Sequence, residues 1–345
     1  LKILIATTIV PFIEGGGRMI ATDLVSVLAE RGHTVDIVRI PFVSRWNDML
    51  DQMLAVRLFD LSEESDLLIT IRTPSYLLRH PNKIAWFIHH HRGAYDLWGT
   101  AYQDIPNTEE GLRTRQAFID ADNISLREAK KIFTNSKIVS QRLKDHNDLD
   151  SEVLYPPLLD WRRFHPGNST DYIFYPSRIT KHKRQDLAIE AMKYVKSDVR
   201  LVVAGNPDAP EQLEFVERTI QENQLSERVQ LLGRWISEDE KADLFSKCLG
   251  CVYIPFQEDS YGYVSLESFH SEKPVITCSD SGGTLEIVED GVNGFVVPPE
   301  PKALAEAFDR LRLDPTQAAR MGRTGPEKIR QLNISWDHVV KSFTQ

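Results

Sequence analysis

YPPLLDWRRFHPGNSTD, residues 155–171, is a proline-rich passage with neither helical nor strand periodicity. What flanks it decides the fold. Upstream, short β-branched runs alternate with helix-period segments: KILIAT, RMIATDLVSVLAERGH, TVDIVRI, DLLIT, KIAWFIH and KIFTN. Downstream the alternation restarts with YIFYPS, RLVVAG, RVQLLG, CVYIPF and KPVITC. Strands alternating with helices imply α/β layers around a parallel sheet, and a break of this composition reads as an interdomain linker. The expectation is two Rossmann-like, doubly wound domains, at 1–160 and 170–330, with the remainder, 331–345, ending in the helix ISWDHVVKSF. At 345 residues the chain has the length for two such cores. Ligands of doubly wound sheets bind outside the carboxyl ends of the strands, so two such edges can face one another across a cleft.

Composition narrows the function classes. A hydrophobic content of 41% with 26% charged residues is that of a globular protein, and no apolar run approaches the ~18 residues of a membrane helix. The opening LKILIATTIVPFI lacks a charged leader and a cleavage site and reads as a first buried strand. Three cysteines, Cys248, Cys251 and Cys278, point to a reducing, cytoplasmic setting over a disulfide framework. Cys248 and Cys251 form C-x-x-C where a helix hands over to a strand, away from the helix start that would stabilise a thiolate. The net charge of −9 argues against nucleic acid as a partner. Residues 1–165 hold 20 Lys+Arg against 22 Asp+Glu, leaving 21 against 28 for the rest. The first half could therefore approach an anionic membrane surface more easily, although no basic amphipathic stretch demands it.

Four stretches could carry chemistry. Between the first strand and helix, PFIEGGGR gives glycines, Gly16 and Gly17 among them, that let backbone approach a ligand at a helix N-terminus. It is not a dinucleotide fingerprint, because Ile20 stands where G-x-G-x-x-G needs glycine; a tight turn that only packs the helix is the alternative. FIHHHRGAYDLWG places His89, His91 and Arg92 near the end of a strand. Consecutive strand residues alternate faces, so at most His89 and His91 share a side and a metal site from these alone is not expected. One histidine as a polar contact or proton shuttle, or a merely packed histidine, are the two readings. In YPSRITKHKRQDLAIEAM, Arg178 and Lys183 lie on the loop leaving the carboxyl edge of the sheet, where a planar multi-donor group beside a point charge suits a diphosphate. A solvated basic loop is the plainer account.

The fourth stretch is EDSYGYVSLE, residues 258–267. Helical periodicity starting near Tyr261 would set Asp259 at the mouth of a helix and Glu267 about two turns inside, on neighbouring parts of one face. Gly262 and the amides of Tyr263 and Val264 would form an anion-binding helix N-terminus between them. A ligand with phosphates in the middle and hydroxyls at both ends, such as a nucleotide sugar, fits that arrangement. A capping aspartate with an ordinary glutamate is the alternative.

These residues resemble the retaining GT-B glycosyltransferases of family 4, glycosyl transferases group 1, whose signature is a Glu, seven residues and a second Glu. The resemblance runs through the GGGR loop, RGHTV, FTNSKIVSQRL, VLYPPL, SRITKHKRQDL, VVAGNPD, EDSYGYVSLESFHSEKPVITCSDSGGTLEIVEDGVNGFVVPPE and ISWDHVVKSF. One departure stands out: eight residues before Glu267 is Asp259, with Glu258 adjoining it. The resemblance implies a first domain for the acceptor, a second for a UDP- or GDP-type sugar donor, and a final helix containing Trp336 that crosses back to the first. It implies retaining transfer to an acceptor hydroxyl of a glycan, lipid-linked saccharide or small molecule, with no cofactor and no essential metal. Arg178 and Lys183 would hold the diphosphate, Gly16 and Gly17 would approach it, and His89, or else His91, would lie near the reacting sugar. Glu267 would take the ribose, and Asp259 or Glu258 the sugar. A nucleotide-sugar epimerase and a non-catalytic nucleotide- or glycan-binding module are the rivals.

Overall fold

The computed structural model describes residues 1–10, 16–43, 45–100 and 103–345. The chain divides into two compact units, Leu1–Pro156 with Ser335–Gln345, and Pro157–Ile334.

Unit 1 contains β1 (Lys2–Ile9), α1 (Gly16–Glu30), β2 (Thr34–Pro41), α2 (Met49–Leu58), β3 (Leu67–Ile71), β4 (Lys83–Phe87), α3 (Glu109–Arg127), β5 (Lys131–Thr134), α4 (Lys137–Asn147) and β6 (Glu152–Val153). The strands pair in parallel in the order β2-β1-β3-β4-β5-β6. Every residue of LLITI in β3 is buried, as an inner strand covered on both faces requires. α3 and α4 start where Thr108 and Ser136 accept a hydrogen bond from the backbone N–H three residues on, satisfying one donor that the first turn leaves unpaired.

Unit 2 begins within the proline-rich passage and contains β7 (Tyr172–Pro176), α5 (Gln185–Ala191), β8 (Arg200–Ala204), α6 (Pro210–Glu222), β9 (Val229–Leu232), α7 (Glu238–Lys247), β10 (Gly250–Val252), α8 (Tyr263–His270), β11 (Val275–Cys278), β12 (Gly294–Val297), α9 (Pro301–Leu313) and α10 (Pro315–Gln331). Its sheet is also parallel and six-stranded, ordered β12-β11-β10-β7-β8-β9. Phe245 of α7 is buried and lies edge-on to both Phe164 from the proline-rich segment and Phe174 of β7.

The last helix, α11 (Trp336–Thr344), belongs to unit 1. Its apolar stripe, Trp336, Val339, Val340 and Phe343, is buried. Trp336 and Phe343 meet Trp86 of β4 edge-on, and Phe343 also meets Phe133 of β5. The Trp86 indole N–H donates to the Leu154 carbonyl at 2.9 Å.

Candidate functional site

In unit 2 the chain runs from β7 outward through β8 and β9, then returns to β10 and runs the other way through β11 and β12. The reversal between β7 and β10 is a topological switch point, and the crevice outside the carboxyl ends there is where such sheets take ligands. The loop after β7 carries Arg178 and Lys183; the loop after β10 carries Tyr253, Glu258 and Asp259 and runs into α8. Four of the residues singled out from sequence therefore meet at one edge.

Those two loops are tied together. The Lys183 ammonium is buried and donates to the Tyr253 hydroxyl at 2.8 Å and to the Glu258 carboxylate, with the Tyr253 ring centroid 5.1 Å away. Arg184, at φ +58, forks onto Asp280 at 2.7 and 2.8 Å and donates to the Ile254 carbonyl at 2.7 Å. Arg178 is more open, with Nη1 2.8 Å from Asp208 in the loop after β8.

The acidic stretch differs from the expectation in its geometry. α8 begins at Tyr263, with Gly262 as N-cap at φ +71 and ψ 131, so the helix starts two residues later than Tyr261. Asp259 therefore lies on the preceding loop, and the helical-wheel angle between it and Glu267 does not apply. Glu267 is one turn inside the helix, not two. The cause is local: a Cβ on Gly262 would stand 2.3 Å from the Tyr253 ring, so only glycine lets the chain turn over that ring. Tyr261 is buried, and its carbonyl accepts from the Ser265 hydroxyl at 2.7 Å. Tyr263 and Val264 are the first two residues of α8, a terminus whose leading N–H groups have no partner within the helix.

Ser281-Gly282-Gly283 after β11 clamps the acidic loop from below. Gly283 N–H donates to the Glu258 carbonyl at 2.8 Å, and a Cβ on Gly282 would lie 2.4 Å from that carbonyl. Glu267 is 2% exposed; its Oε1 accepts from Lys241 of α7 at 2.6 Å. Burial pushes its pKa up, against the pull of Lys241.

In unit 1 the corresponding reversal lies between β1 and β3. Gly16 opens α1, while residues 11–15 of the glycine loop lie outside the described residues. A Cβ on Gly17 would meet the Arg72 side chain at 2.7 Å, so Gly17 allows α1 to start close to the loop leaving β3.

The histidine triplet follows β4, which ends at Phe87, so strand alternation does not govern it. Nδ1 of half-buried His89 donates to the His90 carbonyl at 2.6 Å. His90 is buried, packed on Phe87 and Tyr95, and bonded to Asn147 at 2.8 Å; burial lowers its pKa to about 3. His91 is turned inward against Phe118, with Nε2 3.3 Å from Asp104. Arg92 forks onto Asp96 at 2.9 and 2.7 Å. Beside this loop lies a buried carboxyl, Asp122, accepting from the Tyr76 and Tyr95 hydroxyls at 2.7 Å each; burial raises its pKa to about 7. Among the described residues no group of three or more His, Cys, Asp or Glu could hold a metal ion.

Sequence reading missed Tyr253, Lys241 and Asp208. The motif GYVSLE carries no mark of Tyr253 under Gly262, and nothing in a linear pattern joins Lys241 to a residue 26 positions away.

Residues 160–328, just under half the chain, match the family described as glycosyl transferases group 1. Human alpha-1,3/1,6-mannosyltransferase ALG2 is 27% identical over 217 residues, 56% of this chain and 51% of that protein. The chain spans about half the length of that curated relative. The structure of Anabaena HepE in complex with UDP and glucose is similar across 98% of each chain, with 18% identity and a TM-score of 0.73. Sucrose-phosphate synthase from Thermosynechococcus elongatus is similar over 98% of this chain and 96% of its own, with 18% identity and a TM-score of 0.78. Two parallel-sheet α/β units in series with these likenesses are the GT-B fold.

Proposed function

Because residues 160–328 match the family of glycosyl transferases group 1, we propose that this chain transfers a sugar from a nucleoside-diphosphate donor to an acceptor hydroxyl, with the donor bound at the β7/β10 edge of unit 2. The observation that carries the reading is the convergence there of Arg178, Lys183, the start of α8 and Glu267. The diphosphate lies at the N–H groups of Tyr263 and Val264, with Arg178 and Lys183 stabilising the charge that grows on the leaving phosphate. With the positive charge supplied by these groups, the chemistry requires no metal. Glu267 accepts from the ribose hydroxyls. Asp259, or Glu258 with its bond to Lys183, takes the hydroxyls of the donor sugar. Transfer proceeds with retention, attack being guided by the leaving phosphate.

Unit 1 supplies the acceptor side through His91 and Arg92, for a glycan, a lipid-linked saccharide or a small molecule. A lipid-linked acceptor would bring unit 1 to a membrane surface; among the described residues no helix is long and apolar enough to cross one. All three cysteines are free and buried, which fits a reducing compartment such as the cytoplasm. The ALG2 relative's name makes mannose the first sugar to test.

The test is incubation with a panel of UDP- and GDP-sugars and candidate acceptors, following release of free nucleoside diphosphate and the anomeric form of the product. Release with retention supports the proposal. Isomerised donor without release identifies an epimerase, and a complex without turnover identifies a binding module; either overturns it.

A further inference from the structure

Glu267 is buried within α8, yet only one of its carboxylate oxygens is engaged. Oε1 accepts from Lys241 Nζ at 2.6 Å, while Oε2 has no solvent exposure and no hydrogen bond among the described residues. Buried polar atoms left without partners are few in folded proteins, and each calls for a physical account. Lys241 reaches Glu267 from α7 and is itself shared, with Nζ 3.0 Å from Glu238 and 5.7 Å from the centroid of the Phe164 ring. Its side chain is 15% exposed, so the pair is shielded from water on both sides.

We propose that Lys241 is a positioning residue for donor binding: it keeps Glu267 ionised through one oxygen and so leaves the other as an acceptor for the ribose diol. This rests on the reading that Glu267 takes the ribose. A carboxyl group taken out of water on its own becomes protonated, and a neutral carboxyl has lost part of its acceptor capacity. The charged or titratable groups acting on Glu267 are Lys241 and Glu238 from α7; the buried Cys251 thiol of β10 beside it is held neutral. Burial and Glu238 favour the neutral acid, and Lys241 opposes both. Burial opposes the charge on Lys241, but Glu267 and Glu238 outweigh it and raise its pKa, so the ammonium persists. A purely structural lysine would instead leave the ribose preference untouched when replaced.

The test measures calorimetric affinity of the full chain for UDP and GDP, and for their 2′,3′-dideoxy analogues, between pH 5.5 and 8.5. Wild type is expected to prefer the ribonucleotide about tenfold to a hundredfold. In Lys241→Met that preference is expected to shrink to about threefold or less at pH 6.5 and to recover partly at pH 8.5, with dideoxy binding retained, while Lys241→Arg keeps most of it. Glu238→Gln, on a more exposed side chain, should move the acid limb of the preference to lower pH, which keeps the idea testable should Lys241→Met not fold. An unchanged preference and an unmoved acid limb in the folded variants would overturn the role of Lys241. No ribose preference in wild type would instead remove the Glu267 assignment itself.

Discussion

Replacing Gly262 with alanine tests the turn that launches α8. The backbone there, φ +71 with ψ 131, lies in a region essentially restricted to glycine, so strain alone costs about 1–3 kcal/mol. A Cβ would also stand 2.3 Å from Cε1 and 2.9 Å from the hydroxyl oxygen of Tyr253, and crowding of this kind adds about 1–3 kcal/mol. The sum is about 2–6 kcal/mol. Gly291 is the control within the same unit: it has φ +72, but nothing lies within 4 Å of an added Cβ. Gly291→Ala should cost only the left-handed penalty of about 1–2 kcal/mol. Urea unfolding followed by circular dichroism reads both, and nucleotide binding reads the second consequence, since the ring displaced in Gly262→Ala is the one that holds Lys183. Equal destabilisation of the two variants, or full nucleotide affinity in Gly262→Ala, would refute the argument that Tyr253 enforces the glycine.

The remaining expectations concern charge. Arg178→Ala and Lys183→Ala should each lose turnover on the order of a hundredfold with smaller losses in donor affinity; wild-type turnover in both, in folded protein, would count against the diphosphate role. Turnover should survive EDTA, and complete loss restored by a divalent ion would contradict the metal-free proposal. In unit 1, Asp122, raised to about 7, contributes stability that is full at acid pH and is lost as pH rises toward 7, whereas His90, lowered to about 3, contributes stability that is full above its ordinary 6.5 and is lost as pH falls toward 3. Removing the first term in Asp122→Asn should therefore make unit 1 gain stability with rising pH between about 4 and 6.5 relative to wild type, by on the order of 3 kcal/mol across the window; an identical pH slope in urea titrations would exclude the buried-carboxyl account.

The strands of both sheets were legible wherever a β-branched run was long enough to show. KILIATTI, LLITI and VITC declare themselves, because inner strands of a parallel sheet bury both faces and need unbroken apolar sequence. β6 is two residues at an edge, Glu152 exposed and Val153 half-buried, and carries no such run. β12, GFVV, is an edge strand opened by a glycine, and Gly294 is needed there because a Cβ would strike the Val275 carbonyl at 1.9 Å. Periodicity placed Glu267 on α8 but misjudged the start, because YGYVSLESF is apolar at helical spacing on both sides of Gly262, and a positive φ leaves no trace in spacing. The partners were less legible than the motif: Lys183 with Glu258 joins residues 75 apart, and Lys241 with Glu267 residues 26 apart. Such pairs are fixed by strand order, which only the folded sheet supplies.

Unit 1 is completed by α11, which is synthesised after the whole of unit 2. On a ribosome adding about 5–20 residues per second, the first unit waits on the order of ten seconds or longer for that helix. Throughout that interval Trp86 and Phe133 lack the aromatic cover that Trp336 and Phe343 later provide. The nascent chain thus exposes a sticky aromatic face until the whole of unit 2 has been made, and holdase chaperones have a defined target on it.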